Sequence, residues 1–156
     1  PHVLYLLSKV SKRYYLIFQL ARVGVAQHDI ILIYCAIIRS VLEYACAVWH
    51  SGLTSTAQSN DIERVQKRCL RIIFPELSYS DALFVAGLDR LSVRREQIVR
   101  DTFKNMQLPS HILHNLLPSK HDHQFNSRDK YSYLLPVART QRYANSFIPY
   151  CIRKRY

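Results

Sequence analysis

Residues 59–74 read SNDIERVQKRCLRIIF, and the spacing within them sets the class of fold. Ile62, Val65, Cys69, Ile72 and Ile73 recur at intervals of three and four and so share one face of a helix, while Arg64, Lys67, Arg68 and Arg71 share the opposite face. Such a helix must lay its apolar side on other helices and turn its cations outward. Asp61 and Glu63 stand only at its N-terminal end, where carboxylates suit the helix dipole. Further along, the basic stripe has no counter-charge on its own helix, and Pro75 ends the run.

The flanking segments carry the same period. In VLYLLSKVSKRYYLIFQLAR (3–22), Val3, Leu7, Val10, Tyr14, Ile17 and Ala21 form one face, with Lys9, Lys12 and Arg13 on the far side of one expected helix. Residues 30–49, IILIYCAIIRSVLEYACAVW, predict a long apolar helix capped by Asp29 and running to about His50, central and with neighbours on most sides. Its length approaches that of a bilayer span, but Arg39 and Glu43 near its middle would each cost roughly 2.5 to 3.5 kcal/mol in lipid. Four residues apart, they pair more comfortably along one face of a helix in a bundle, and no membrane partner is expected. Ser78 with Asp81 predicts a capping box for a short helix ending at Gly87. Ser92 is read as the cap of the next helix, with Val99, Phe103 and Met106 inward and Arg94, Arg95 and Lys104 outward. Gly24, Gly52 and Gly87 follow apolar runs and are expected as left-handed closing residues.

The whole chain has 156 residues and 18.3 kDa, room for one domain with a tail. The expectation is an all-α helical bundle of about five or six helices over residues 1–117. Residues 118–156 are expected to form a polar linker and an irregular basic-aromatic tail, with no acid after Asp129. With 22 Lys and Arg against 11 Asp and Glu, the net charge is +11 and favours a polyanionic partner. Four cysteines without close pairing, and no glycosylation sequon or signal pattern, predict a reducing intracellular setting; nucleus and cytoplasm are the expected compartments. The opening at Pro1, already in helical pattern by Val3, suggests a piece of something longer.

Cys46 and His50 share a helix face and carry the residue types of a thiolate–imidazole pair or two metal ligands, as do His111 with His114 and His121 with His123 around Asp122. No Cys-x-x-Cys or His-Glu-x-x-His accompanies them, so buried structural cysteine is the reading adopted. Trp49 and the helical tyrosines are read as core and rim.

The run IIRSVLEYACAVWHSGL, then IERVQKRCLRIIFP and LSYSDALFVAGLDRLSVRRE, resembles the region after the polymerase palm in reverse transcriptases of non-LTR retrotransposons, of the jockey-like, long-interspersed type. RTQRYANSFIPYCIR resembles the end of such reading frames, and the likeness covers about Ser11 to Arg153. It implies a helical thumb that closes on an RNA/DNA hybrid, with fingers and palm in the same polyprotein as partners. The family's palm carries an Asp-Asp pair that binds two divalent metals, Mg being expected. No Asp-Asp occurs here, so this chain alone is expected to be non-catalytic and to hold no cofactor. The residues expected to touch nucleic acid are Arg64, Lys67, Arg68 and Arg71, then Lys12 and Arg13, with Arg139, Arg142, Arg153 and Lys154 in the tail. Two alternatives stand beside this one: a helical protein-interaction module or decayed remnant without nucleic-acid affinity, and insertion of the apolar helix into a membrane.

Overall fold

The computed structural model describes residues 2–53, 56–120 and 133–156. Those residues are mostly helical, with no β-strand among them and one isolated antiparallel bridge between Lys120 and Tyr133. The expected all-α class holds. Two compact units form, one from Pro1–Tyr44 with Thr54–Arg94, the other from Ala45–Leu53 with Arg95–Tyr156. The division therefore falls inside the expected helical domain rather than at Pro118.

In the first unit, α1 (His2–Ser11), α2 (Tyr14–Val23) and α3 (Gln27–Tyr34) lead through a wide π-turn (Cys35–Arg39) into α4 (Ser40–Glu43). After these come α6 (Thr56–Ile73), α7 (Tyr79–Ala86) and the start of α8 (Leu91–Met106), while α5 (Cys46–Trp49) belongs to the second unit. The single N-terminal helix expected from periodicity is two helices, because a turn closed by the Arg13 N–H on the Val10 carbonyl separates α1 from α2. Gly24 and Gly87 close α2 and α7 at φ 84° and 61°, as their positions predicted. Gly52 does not take that role. Instead, Ala45 adopts the left-handed conformation (φ 51°) and breaks the apolar run between α4 and α5. For an alanine this backbone costs roughly 1 to 2 kcal/mol.

That apolar run is less central than its composition suggests. Ile30, Tyr34, Ile38 and Leu42 are buried at four-residue intervals along one stripe, but Leu32 is 56% exposed and Tyr44 is also exposed. Residues 27–52 are long and apolar enough to cross a bilayer by length and composition. Its two charges are engaged within the unit: Glu43 lies 3.6 Å from Arg39 and, closer, 2.6 Å from Arg94 Nε. Asp29 is not the cap of α3, which begins at Gln27; the carboxylate stands in the first turn, where it acts on the dipole.

α6 packs against α1, α2, α3 and α7 and organises the unit. Its inward face carries Ile62, Val65, Cys69, Leu70 and Ile73, and also a polar residue, Gln66, fully buried; Ile72, expected on that face, is only half-buried. Gln66 Oε1 accepts from Tyr34 Oη at 2.8 Å, and its Nε2 donates to the Asp89 carbonyl at 2.9 Å and to Tyr79 Oη at 3.2 Å. Tyr79 in turn donates to Glu63 Oε1 at 2.5 Å, and the other Glu63 oxygen accepts from the Ser92 N–H at 3.3 Å. Ser92 is thus not a cap: α8 starts one residue earlier, and a carboxylate of α6 meets the N–H of its first turn. Ser78 caps α7, its hydroxyl accepting from the Asp81 N–H at 3.3 Å and donating to Asp81 Oδ2 at 2.6 Å, so the carboxylate of the expected capping box meets the hydroxyl.

In the second unit Val99, Phe103, Tyr133, Cys151 and Ile152 form a core, with Phe147 and Tyr150 packed on it. The tail expected to be irregular contributes α9 (Gln141–Ala144) and α10 (Phe147–Lys154). Val99, Phe103 and Met106 face inward as predicted, but Arg95, expected outside, is 1% exposed. The polar linker expected around 119–130 lies largely outside the described residues.

Replacing Gln66 with Ala leaves the buried Tyr34 hydroxyl and the Asp89 carbonyl without this partner. The unfolding free energy from urea titration should fall by on the order of 3 kcal/mol; a loss below about 1 kcal/mol would mean the amide contributes no more than an average hydrogen bond.

Candidate nucleic-acid interface

Arg64, Lys67, Arg68 and Arg71 are all exposed, on the side of α6 opposite its buried residues. They converge on a groove of about 890 Å³ between α6 and the α1–α2 turn, wholly within the first unit. Leu7, Val65, Ile72 and the ring of Tyr14 line the same groove. Thus the basic stripe and an apolar surface share one concavity.

The four cations are not equivalent. Arg64 Nη1 lies 2.7 Å from Asp61 Oδ1, a one-turn ion pair that offsets part of its charge. Arg68 sits over the Tyr14 ring, 4.7 Å from its centroid, and Lys67 over Tyr79 at 5.9 Å. Burial pushes the Tyr14 hydroxyl up to about 12, so the ring beneath Arg68 is a neutral phenol at physiological pH. Arg71 makes no ion pair among the described residues.

Lys12 is exposed on the turn after α1, whereas Arg13 turns inward and donates from Nη1 to the Ile37 carbonyl on the π-turn. Expected to face outward, Arg13 instead holds backbone. The tail cations divide similarly. Arg139 and Arg142 are exposed, and Lys154 lies 5.8 Å from the Tyr150 centroid. Arg153 donates to the carbonyls of Pro149 and Ala144 and, at 3.2 Å, to Asn145 Oδ1. It therefore ties α10 to the end of α9, and its guanidinium is engaged by neutral acceptors of its own unit. Arg100, set over Tyr156 at 5.1 Å, is a cation–ring pair that the sequence did not single out.

The Cys46–His50 pair does not form. Cys46 is buried with Sγ 3.9 Å from the Arg95 carbonyl, and His50 Nε2 lies 2.8 Å from Glu96 Oε2, which also accepts from Tyr150 Oη at 3.0 Å. Burial pushes the Cys69 and Cys151 thiols up to about 12, which keeps them protonated and unreactive. Among the described residues, no group of three or more His, Cys, Asp or Glu could hold a metal ion; His121, Asp122 and His123 lie outside them. His111 Nδ1 accepts from the Leu113 N–H at 3.2 Å, and His114 Nδ1 is 3.2 Å from the Met106 carbonyl. The chain matches no protein family, no curated protein and no solved structure.

Burial lowers the His50 pKa below 6.5, against the opposing pull of Glu96. A depressed folded pKa means the unfolded chain binds the proton more readily. The stability His50 contributes is therefore complete above 6.5 and lost as pH falls through the lower, folded value. Chemical denaturation of the native chain and of His50→Gln from pH 7.5 to about 5 should show a smaller acid loss in the variant. Equal losses in the two would contradict a histidine buried in its neutral form.

Proposed function

We propose that the chain is the non-catalytic thumb and C-terminal portion of a non-LTR retrotransposon RNA-directed DNA polymerase. Its role on this reading is to grip the sugar-phosphate backbone of a template–primer hybrid. The observation that supports it is the exposed quartet Arg64, Lys67, Arg68 and Arg71 gathered on one face of α6, in a chain of net charge +11. Phosphate oxygens spaced along a hybrid attract such a row regardless of base sequence, and binding releases condensed counterions. Arginine suits this task through its fixed fork of donors, and the Tyr14 ring under Arg68 limits the side-chain freedom given up on binding. Lys12, Arg139, Arg142 and Lys154 remain exposed candidates for further contacts; Arg13 and Arg153 drop in rank because carbonyls of their own unit engage them.

The described residues do not fit the pair of divalent metals that polymerisation requires. That chemistry is assigned to the palm of the same polyprotein, and this chain to holding the duplex.

A second reading rests on a separate observation. Phe84 on α7 is 89% exposed, as is Ile112 after α8, and Leu32 stands out from the apolar run. Isolated apolar side chains are ordinary on protein surfaces, but these would serve a helical interaction module that binds protein and not nucleic acid.

Titration of a labelled RNA/DNA hybrid separates the two readings. The native chain should bind with an affinity that falls linearly in log–log salt plots. Arg64, Lys67, Arg68 and Arg71 changed together to Ala should lower the slope by about 0.7 to 0.9 for each phosphate that is no longer neutralised. An unchanged slope, with circular dichroism showing an intact fold, would remove the quartet from the interface. Absence of binding at low salt, with self-association in sedimentation, would favour the interaction module.

A further inference from the structure

The groove beside α6 has more apolar surface than a phosphate rail uses. Its cations stand on the exposed face of the helix, but Leu7, Val65, Ile72 and the Tyr14 ring form the floor between them and the α1–α2 turn. A duplex would leave that floor bare. Its base faces are already stacked on one another, its base edges are polar, and its phosphates lie on the convex outside. An unpaired nucleotide differs in this respect, because it offers a flat apolar face and a phosphate on the same short unit.

We propose that this groove seats unpaired nucleotides, with bases laid on the apolar floor and their phosphates held by the quartet. Three features of the groove support it. Its volume of about 890 Å³ falls within the roughly 300 to 1,000 Å³ of clefts that enclose compact organic ligands. Arg68, 4.7 Å from the Tyr14 ring centroid, offers a guanidinium plane on which a base can stack, backed by a neutral phenol. Only Asp61 among the residues lining the groove is acidic, and it is engaged by Arg64 at the groove's N-terminal end; Lys67, Arg68 and Arg71 run on without a carboxylate. Charge and shape complementarity thus point to a single-stranded polyanion with planar apolar groups. An acidic amphipathic peptide would share the charge but does not carry a planar group and an anion on every unit, as a single strand does.

The inference rests on the backbone grip proposed above and adds to it the single strand that continues beyond a duplex. Its test compares three labelled RNA/DNA hybrids of identical duplex sequence: one blunt, one with a single-stranded extension of about six nucleotides, and one whose extension has the same phosphates but abasic sugars. The full chain should bind the base-bearing extension roughly five- to a hundredfold more tightly than the abasic one at the same salt. Arg68→Lys, which keeps the charge and removes the plane, should lower affinity for the base-bearing extension more than for the abasic one and so shrink that ratio. Equal affinity for base-bearing and abasic extensions would overturn base seating and leave the backbone grip standing. Failure of the blunt hybrid to bind at low salt would remove the grip itself. Displacement of the extended hybrid by an acidic helical peptide more readily than by an oligonucleotide of equal charge would assign the groove to a protein ligand and overturn the proposal.

Discussion

The buried amide of Gln66 fixes the rotation of α6 about its own axis. An amide without partners in an apolar core would cost several times what one hydrogen bond contributes, so this side chain is stable only where Tyr34, Tyr79 and the Asp89 carbonyl meet it together. Those three partners come from α3, from α7 and from the segment leading into α8. A rotation of α6 by one residue, about 100°, would break all three bonds at once. Apolar side chains alone would tolerate a sliding helix, because Leu70 and Ile72 are close in volume and either can fill a gap. The polar residue removes that freedom.

Fixing the inward face fixes the outward one. With Gln66, Cys69 and Ile73 inside, Arg64, Lys67, Arg68 and Arg71 have only the solvent side left, and the α1–α2 turn then stands opposite them. The resulting groove joins cations to an apolar floor. Elsewhere the cations meet different conditions. Glu43 draws Arg94 and Arg39, the Ile37 carbonyl draws Arg13, and the carbonyl end of α9 draws Arg153. Some of the cations thus fasten parts of their own unit together, while the quartet on α6 lines a groove in an exposed row.

Periodicity made much of this visible in advance. The two faces of α6, the cap at Ser78, the left-handed glycines at 24 and 87 and the inward set of Val99, Phe103 and Met106 all depend on spacing within a few turns. The positions that differed depend on tertiary partners. Arg95 reads as a surface cation by type, yet it is buried; Ser92 reads as a cap, yet Glu63 from a distant helix meets its N–H. The break at Ala45 could not be read because alanine is the strongest helix former and carries no turn signal. In the candidate site the quartet was legible from its stripe. The groove was not, since Leu7 and Tyr14 come from helices more than forty residues away in sequence. The bonds that Arg13 and Arg153 make to carbonyls could not be read for a common reason: a backbone carbonyl leaves no mark in the sequence to show that it needs a donor.

The central claim is that α6 presents a basic face to nucleic acid while its other face stays closed, and residues two apart report on both. Acetylation of Lys67 and alkylation of Cys69 can be followed by mass spectrometry in the same sample, with and without saturating RNA/DNA hybrid. The account predicts rapid modification of Lys67 in the free chain, strong protection of it by the hybrid, and a Cys69 thiol that stays unreactive in both until denaturant is added. Equal Lys67 modification with and without hybrid, or a Cys69 that labels freely in the native chain, would contradict it.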